Sequence, residues 1–197
     1  MSRHLPSALA LVAMLALGCA TTQDPSSSVA LVAPVPEGPP RPPFGASRHF
    51  ADGMLPAGAT VFDDHPGVVR LDSRLLEELR AATADASAQG IGIVVNSGWR
   101  SKAYQSLLFE EAVAEHGTEA AATAWVARPG TSVHEAGAAV DLGPSNAVDW
   151  LAQHGADYGL CQVYDNEPWH FELDPGAVEM GCPPPYDDPS DDPRLQM

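Results

Sequence analysis

The sequence is short of positive charge: 10 Lys and Arg stand against 26 Asp and Glu in 197 residues, a net charge of −16. No basic stripe offsets that balance, so a nucleic-acid partner, which needs cations along the phosphates, is excluded. Long apolar runs are missing as well. The run from Leu9 to Leu17 falls well short of the roughly 20 residues that cross a bilayer. Nothing repeats at a fixed period, which sets aside solenoids and propellers. Neither a CxxC pair nor an HExxH helix occurs, so a thiolate zinc knuckle and the helical zinc-protease motif are both absent. What remains is ordinary for a folded chain, 45% hydrophobic and 18% charged, which argues against wholesale disorder. The length suits one cored domain with a few dozen residues to spare.

The spare residues have a recognisable order. Arg3 and His4 precede the apolar run, which ends at Leu17-Gly18-Cys19-Ala20. Residues 1–18 read as a signal peptide, and the end resembles a bacterial lipobox in which Cys19 becomes the lipidated residue. Ala16 departs from the larger aliphatic residue usual there, and a plain secretory cleavage near Gly18 to Ala20 is the alternative. Residues 19–47 carry the lipidated Cys and a Pro/Ser-rich linker; seven of the nineteen prolines lie between Thr21 and Ser47, a composition that favours an extended spacer. The folded domain is expected over residues 48–182. Residues 183–197, with Asp187, Asp188, Asp191 and Asp192, read as an acidic, Pro-rich, disordered tail. The expected location is the cell envelope, anchored by lipid or otherwise secreted, and the expected state is a monomer. Once Cys19 is lipidated or removed, Cys161 and Cys182 remain as an even pair in an oxidising compartment. A disulfide between them is expected to stabilise by roughly 3 kcal/mol; two unpaired thiols are the alternative.

Within the domain, Asp72 or Ser73 can cap a helix whose Leu75, Leu76, Leu79, Ala82 and Ala86 form one apolar face, ending at Gly90. Ile91 to Val95 reads as a short buried strand. Ser97 to Arg100 turn out of it into a second helix, capped by Ser101, with Tyr104, Leu107, Leu108 and Ala112 inward. An alanine-rich helix over Glu119 to Val126 is broken by Arg128-Pro129-Gly130. In the segment 138–142 Val140 and Leu142 share one face and Asp141 takes the other. After a helix near Ala147 to His154, the run 169–173 alternates again: Trp169, Phe171 and Leu173 face the core, His170 and Glu172 face away. Helices mostly precede a meandering sheet, so the class is α+β.

Two strands that each show a metal-type side chain on the non-core face suggest a constructed site. His134, Asp141 and His170 are donors suited to zinc, and three protein ligands leave a fourth position for water, as catalytic sites do. Zinc would lower the pKa of such a water to about 7. Glu167 stands three residues before His170; positions three apart on a strand face opposite ways, but Pro168 favours a loop from which Glu167 can bend inward as a base. Arg100, in a turn at a strand end, can bind a carboxylate bidentately or stabilise an oxyanion, and the sequence leaves both open. Gln105 and Ser132 can add neutral hydrogen bonds to the same substrate end. Singly, each has a duller reading. His134 in a loop is more often a surface residue, Asp141 a cap acid, His170 a satisfied strand residue, and Arg100 a surface ion-pair partner worth less than about 1 kcal/mol. Trp169 and Phe171 read as core; His49, His65, His116 and His154 lack comparable company and read as structural or exposed.

Together the segments Ser97-Gly-Trp-Arg-Ser101 with Gln105, Ser132-Val-His134 through Gly137 and Ala139 to Asp141, and Glu167-Pro-Trp-His170 resemble the VanY-like D-alanyl-D-alanine carboxypeptidases. That metallopeptidase family also includes L,D-carboxypeptidases of peptidoglycan. The resemblance spans roughly Val61 to Leu173. It implies a small α+β domain with its site on an antiparallel sheet and one zinc ion held by His134, Asp141 and His170. It also implies Glu167 as the catalytic base, and Arg100, Gln105 and Ser132 on the substrate, a peptidoglycan stem peptide. Glu135 and Ala136 replace residues that are often Gln and Thr in relatives, and the extra carboxylate is expected to bear on substrate preference or local pKa. The competing readings are the same zinc chemistry on another bond, as an L,D-carboxypeptidase or wall-peptide endopeptidase, and a non-catalytic wall-binding lipoprotein.

Overall fold

In the computed structural model, which describes residues 46–195, two short helices, α1 (Ala46–Ala51) and α2 (Pro66–Val69), precede the first long one, α3 (Ser73–Ala88). The signal peptide, Cys19 and all but the end of the linker lie outside the described residues. Helix α3 starts where capping chemistry places it: Asp72 Oδ1 accepts from the backbone N–H of Arg74 and of Leu75. It ends against Gly90 in the left-handed region. The first strand is β1 (Val94–Ser97), three residues later than its apolar run begins. Ile91 N–H is spent on Ala86 O in closing the helix, so the ladder starts only after Ile93.

Helix α4 (Lys102–His116) is capped by Ser101 Oγ, which accepts from Tyr104 N–H, and stops at left-handed Gly117. Helix α5 (Glu119–Ala122) is shorter than its alanines suggest, and Phe109, Ala112 and Ala122 form a small satellite core between α4 and α5. A 3-10 turn (Val133–Ala136) leads into β2 (Ala139–Gly143). Then come α6 (Ser145–His154), a second 3-10 turn (Gly155–Tyr158), β3 (Leu160–Gln162), β4 (His170–Leu173) and α7 (Ala177–Met180). Strand β3 was not legible in advance. It is three residues long, too short for a pattern.

The four strands form one sheet in the order β1-β2-β4-β3, every pair antiparallel. This is the α+β domain with an antiparallel sheet that the sequence implied. Helices α3 and α6 pack on it, and the main core runs through Val61, Val68, Leu75, Leu79, Val140, Leu142, Leu151 and Phe171. The register decides where the chemistry goes. Asp141 pairs with His170, and Ser97 pairs with Asp141, so three neighbouring strands deliver Ser97, Asp141 and His170 in one row. Regular alternation from Val95 would turn Ser97 to the core. A bulge between Val95 and Ser97 inserts one residue and re-aims Ser97 toward Asp141.

Past the sheet, the chain departs from expectation. Residues 183–195 are largely exposed, but they are not a disordered tail. They form two 3-10 turns (Pro189–Asp191 and Pro193–Leu195), with Pro189 and Asp192 buried. Asp192 is held there by Arg194, which also bonds Glu172 of β4, whereas Asp187 and Asp191 stay exposed. The Cys161–Cys182 disulfide is formed, with Cα atoms 5.5 Å apart. None of the described helices is long and apolar enough to cross a membrane.

Candidate metal centre and active site

His134 reaches the site from the 3-10 turn before β2, which left-handed Gly137 closes; a Cβ on Gly137 would stand 2.3 Å from Arg70 O. The His134 ring is oriented by its far nitrogen, since Nδ1 lies 2.8 Å from Gly98 O, a carbonyl that can only accept. Nδ1 therefore carries the proton and Nε2 presents a lone pair. Gly98 is fixed in turn by close packing: Trp99 N–H donates to Gly67 O at 2.8 Å, and a Cβ on Gly98 would sit 2.1 Å from that same oxygen. The first two motifs clasp each other, because Arg100 N–H donates back to His134 O at 3.1 Å.

On β4, His170 Nε2 lies 3.3 Å from Glu172 Oε1, so the Nε2–H donates and Nδ1 turns its lone pair to Asp141. Three acceptors then face one point. His134 Nε2 to His170 Nδ1 is 3.3 Å, His170 Nδ1 to Asp141 Oδ1 is 3.2 Å, and His134 Nε2 to Asp141 Oδ1 is 3.4 Å. All three residues are buried. Lone pairs this close repel unless a cation stands between them. A tetrahedral zinc with bonds of about 2.0–2.1 Å separates neighbouring ligands by about 3.3–3.4 Å. The triangle fits zinc.

By themselves, the buried groups shift one another in both directions. Burial alone would raise the Asp141 carboxyl, yet the two imidazoles and Arg100 hold it well below the usual range. Burial disfavours a charged His170, but Asp141 and Glu172 outweigh it and lift its pKa to about 9. His134 moves the other way, lowered by burial and by Arg100.

Glu167 sits in the loop entering β4, 7% exposed, with Oε2 3.8 Å from His170 Nδ1 and no hydrogen-bond partner on Oε1. Burial, reinforced by Asp141, pushes it up to about 7 against the pull of His170 and Arg100. A carboxylate balanced there can take up and release a proton at neutral pH. Arg100 is buried: Nη2 donates to Asp141 Oδ2 at 2.6 Å, Nε to Ser97 Oγ at 2.8 Å and Nη1 to Gln105 Oε1 at 3.3 Å. It thus orients a metal-type ligand as well as lining the cavity, a duty that sequence reasoning missed. Ser132 lines the cavity too.

Gln105 does not. It is fully buried, receives Arg100 through Oε1 and donates from Nε2 to Ala127 O at 2.8 Å. Its expected contact with substrate gives way to a place behind Arg100. Glu135, the expected extra carboxylate, accepts from Gly130 N–H at 2.6 Å through Oε1. The cavity itself measures about 340 Å³ and runs from His134, Asp141 and His170 to Leu108 and Ala112 of α4, with Trp125 beside them. Ser97 and Gly98 were legible as part of the Ser97–Ser101 motif and Glu172 as sharing the face of His170; what they do for Arg100, His134 and His170 was not.

This arrangement of His, Asp, His and a buried glutamate accompanies a match to the family described as "VanY: D-alanyl-D-alanine carboxypeptidase" over residues 68–175. The chain belongs to the VanY family. A D-alanyl-D-alanine carboxypeptidase of Enterococcus faecalis (strain ATCC 700802 / V583) is 31% identical over 127 residues, covering 52% of this chain and 47% of that protein. The chain thus spans about half the length of that curated relative. Among VanY-family structures, VanYB in complex with D-alanine-D-alanine is 30% identical, with a TM-score of 0.52 over 56% of this chain and 74% of the other. A variant of the vancomycin-resistance D,D-pentapeptidase VanY in complex with Zn(II) is also 30% identical, with a TM-score of 0.50 over 52% of this chain and 72% of the other.

Proposed function

We propose that this VanY-family chain is a zinc-dependent carboxypeptidase that removes the C-terminal D-alanine from peptidoglycan stem peptides ending in D-Ala-D-Ala. One observation carries the reading: three lone pairs converge at zinc spacing beside a buried glutamate oxygen that has no partner. A silent binding module would need the ligands but no such base. The relatives' binding of Zn(II) and of D-alanine-D-alanine supports the same substrate class.

His134, Asp141 and His170 would hold the ion, whose chemistry is that of a Lewis acid, acidifying water and polarising the scissile carbonyl. The chain's own residues supply the rest. Arg100 presents its remaining N–H donors to the cavity for the substrate's carboxylate or the developing oxyanion, and Ser132 adds a hydroxyl. Trp169 and Leu108 add apolar wall to the cavity. Glu167 accepts a proton from the attacking water and passes it to the departing amine of the D-amino acid.

The decisive variant is Glu167→Gln, which keeps the volume and removes the base. Zinc content should stay at one ion per chain while D-alanine release from a pentapeptide falls by about 10²–10⁴-fold. Release at the wild-type rate would take Glu167 out of this role. Mass analysis of products from penta- and tetrapeptides separates D,D- from L,D-cleavage. The location we propose is the cell envelope, held to a membrane by lipid on Cys19; a Cys19→Ala chain that remains membrane-bound in cells would refute that anchor.

A further inference from the structure

The family match ends at residue 175, and the chain beyond it returns to the site. Cys182 is bonded to Cys161, which stands opposite Glu172 in the β3–β4 register. The following residues run beside the segment that leads to Glu167. Tyr186 N–H donates to Val163 O at 2.9 Å, Asp165 N–H to Tyr186 O at 2.9 Å, and Asn166 N–H to Asp187 O at 3.2 Å. Asp192, with no exposed surface, accepts from Tyr164 Oη–H at 2.9 Å. The Tyr164 ring lies 4.9 Å from that of His170.

Arg194 completes the arrangement. Its Nη1 donates to Glu172 Oε2 at 2.7 Å and its Nη2 to Glu172 Oε1 at 3.1 Å, while Nε donates to Asp192 Oδ1 at 3.0 Å. Glu172 Oε1 is the oxygen that receives His170 Nε2–H. An unbroken series of bonds therefore runs from Asp192 through Arg194 and Glu172 to His170. Pro189 and Leu195 meanwhile form part of the cavity wall.

We propose that residues 183–195 are a working part of the active site, in which Arg194, held by Asp192, positions Glu172 and through it the ligating ring of His170. The proposal rests on the zinc-site reading given above. A carboxylate that accepts from the far N–H of a ligating imidazole fixes the ring and raises its basicity. A glutamate has three side-chain torsions, and the bidentate guanidinium removes most of that freedom. Arg194 and Asp192 are positioning residues: neither reaches the reacting atoms.

The test uses the full chain and measures zinc affinity by competition with a chromogenic chelator, alongside the melting temperature and D-alanine release. Arg194→Ala should bind zinc about tenfold more weakly, the low end for partners of a ligand. It should melt below wild type but keep a cooperative transition, because the 47% exposed Arg194 side chain is screened by water while Asp192 keeps the Tyr164 hydroxyl. Arg194→Lys should recover part of the affinity, offering the charge without the fork. Arg74→Ala, on the exposed side of α3, should change neither. Wild-type zinc affinity in Arg194→Ala would overturn the proposal. So would a loss of affinity that merely follows a collapse in melting temperature and is not reversed by lysine. A wild-type chain that binds no zinc would instead sink the functional reading itself, and this inference with it.

Discussion

On one face of the sheet Val140, Leu142 and Phe171 are at most 1% exposed; on the other, Asp141 and His170 are 1% and 3% exposed. The two faces are both buried and are held by opposite means. Val140 and Phe171 face each other in register, as Asp141 and His170 do one residue further along, so the same ladder serves both. The apolar face gains from transfer out of water, about 25 cal/mol per Å². The polar face loses by that transfer unless every buried group is partnered. Its partners come from across the chain: Gly98 O for His134, Arg100 for Asp141, and Glu172 for His170. One requirement, a cation among the three lone pairs, is met by no side chain. The polar face is therefore a folded structure whose stability depends on what it binds, and the apolar face is not.

The largest expected effect breaks the apolar side alone. Phe171→Ala leaves a cavity under the sheet and should cost about 3–5 kcal/mol in thermal unfolding. The loss should be the same with zinc and with EDTA, because Phe171 touches the site only through the ladder. A cost that differed between the two conditions would show that the faces are coupled.

Next in size is the ion itself. At zinc about a hundredfold above its dissociation constant, binding to the folded state alone adds about 2.7 kcal/mol. The melting temperature should rise on adding zinc and fall back with EDTA. His170→Ala should abolish that response while retaining a cooperative transition. A wild-type transition indifferent to EDTA would contradict the idea that this face is completed by a metal.

The same contrast explains what could be read from the sequence. Alternation in 138–142 and 169–173 placed both faces correctly, since period-two patterning is a local property. The motifs located His134, Asp141, His170 and Glu167, and the structure brings all four together. What escaped were contacts set by register and return of the chain. The bulge that turns Ser97 from the core to Asp141 and the Gly98 carbonyl that accepts from His134 depend on segments that meet only in three dimensions. Arg194 escaped for a stronger reason. A run of aspartates looks solvated until a partner is known, and here Asp192 is held by Tyr164 and by an arginine of the run itself, which also reaches Glu172.

The smallest effect asks whether residues 183–195 belong to the polar face. Burial alone would raise the carboxyls of Asp192 and Glu172, yet both lie below their ordinary values, Asp192 through Arg194 and Tyr164, Glu172 through His170 and Arg194. A carboxylate lowered by folding contributes stability that is fully present above its unfolded pKa of about 4. That contribution is lost as pH falls through the folded value. Because Arg194 is half exposed, solvent screens the pair and the amount should be small, about 1 kcal/mol. In metal-free protein, hydrogen-exchange protection of the Tyr186 and Asp165 amides, corrected for the intrinsic effect of pH, should hold steady from neutrality to about pH 5 and decline below about pH 4. Protection in Arg194→Ala should be lower and change less over that range, since the charge that depresses Asp192 most, and Glu172 in part, is gone. Amides equally protected at pH 6 and pH 3 would mean that the segment is held by its backbone pairing and the disulfide alone, and that the polar face ends at Glu172.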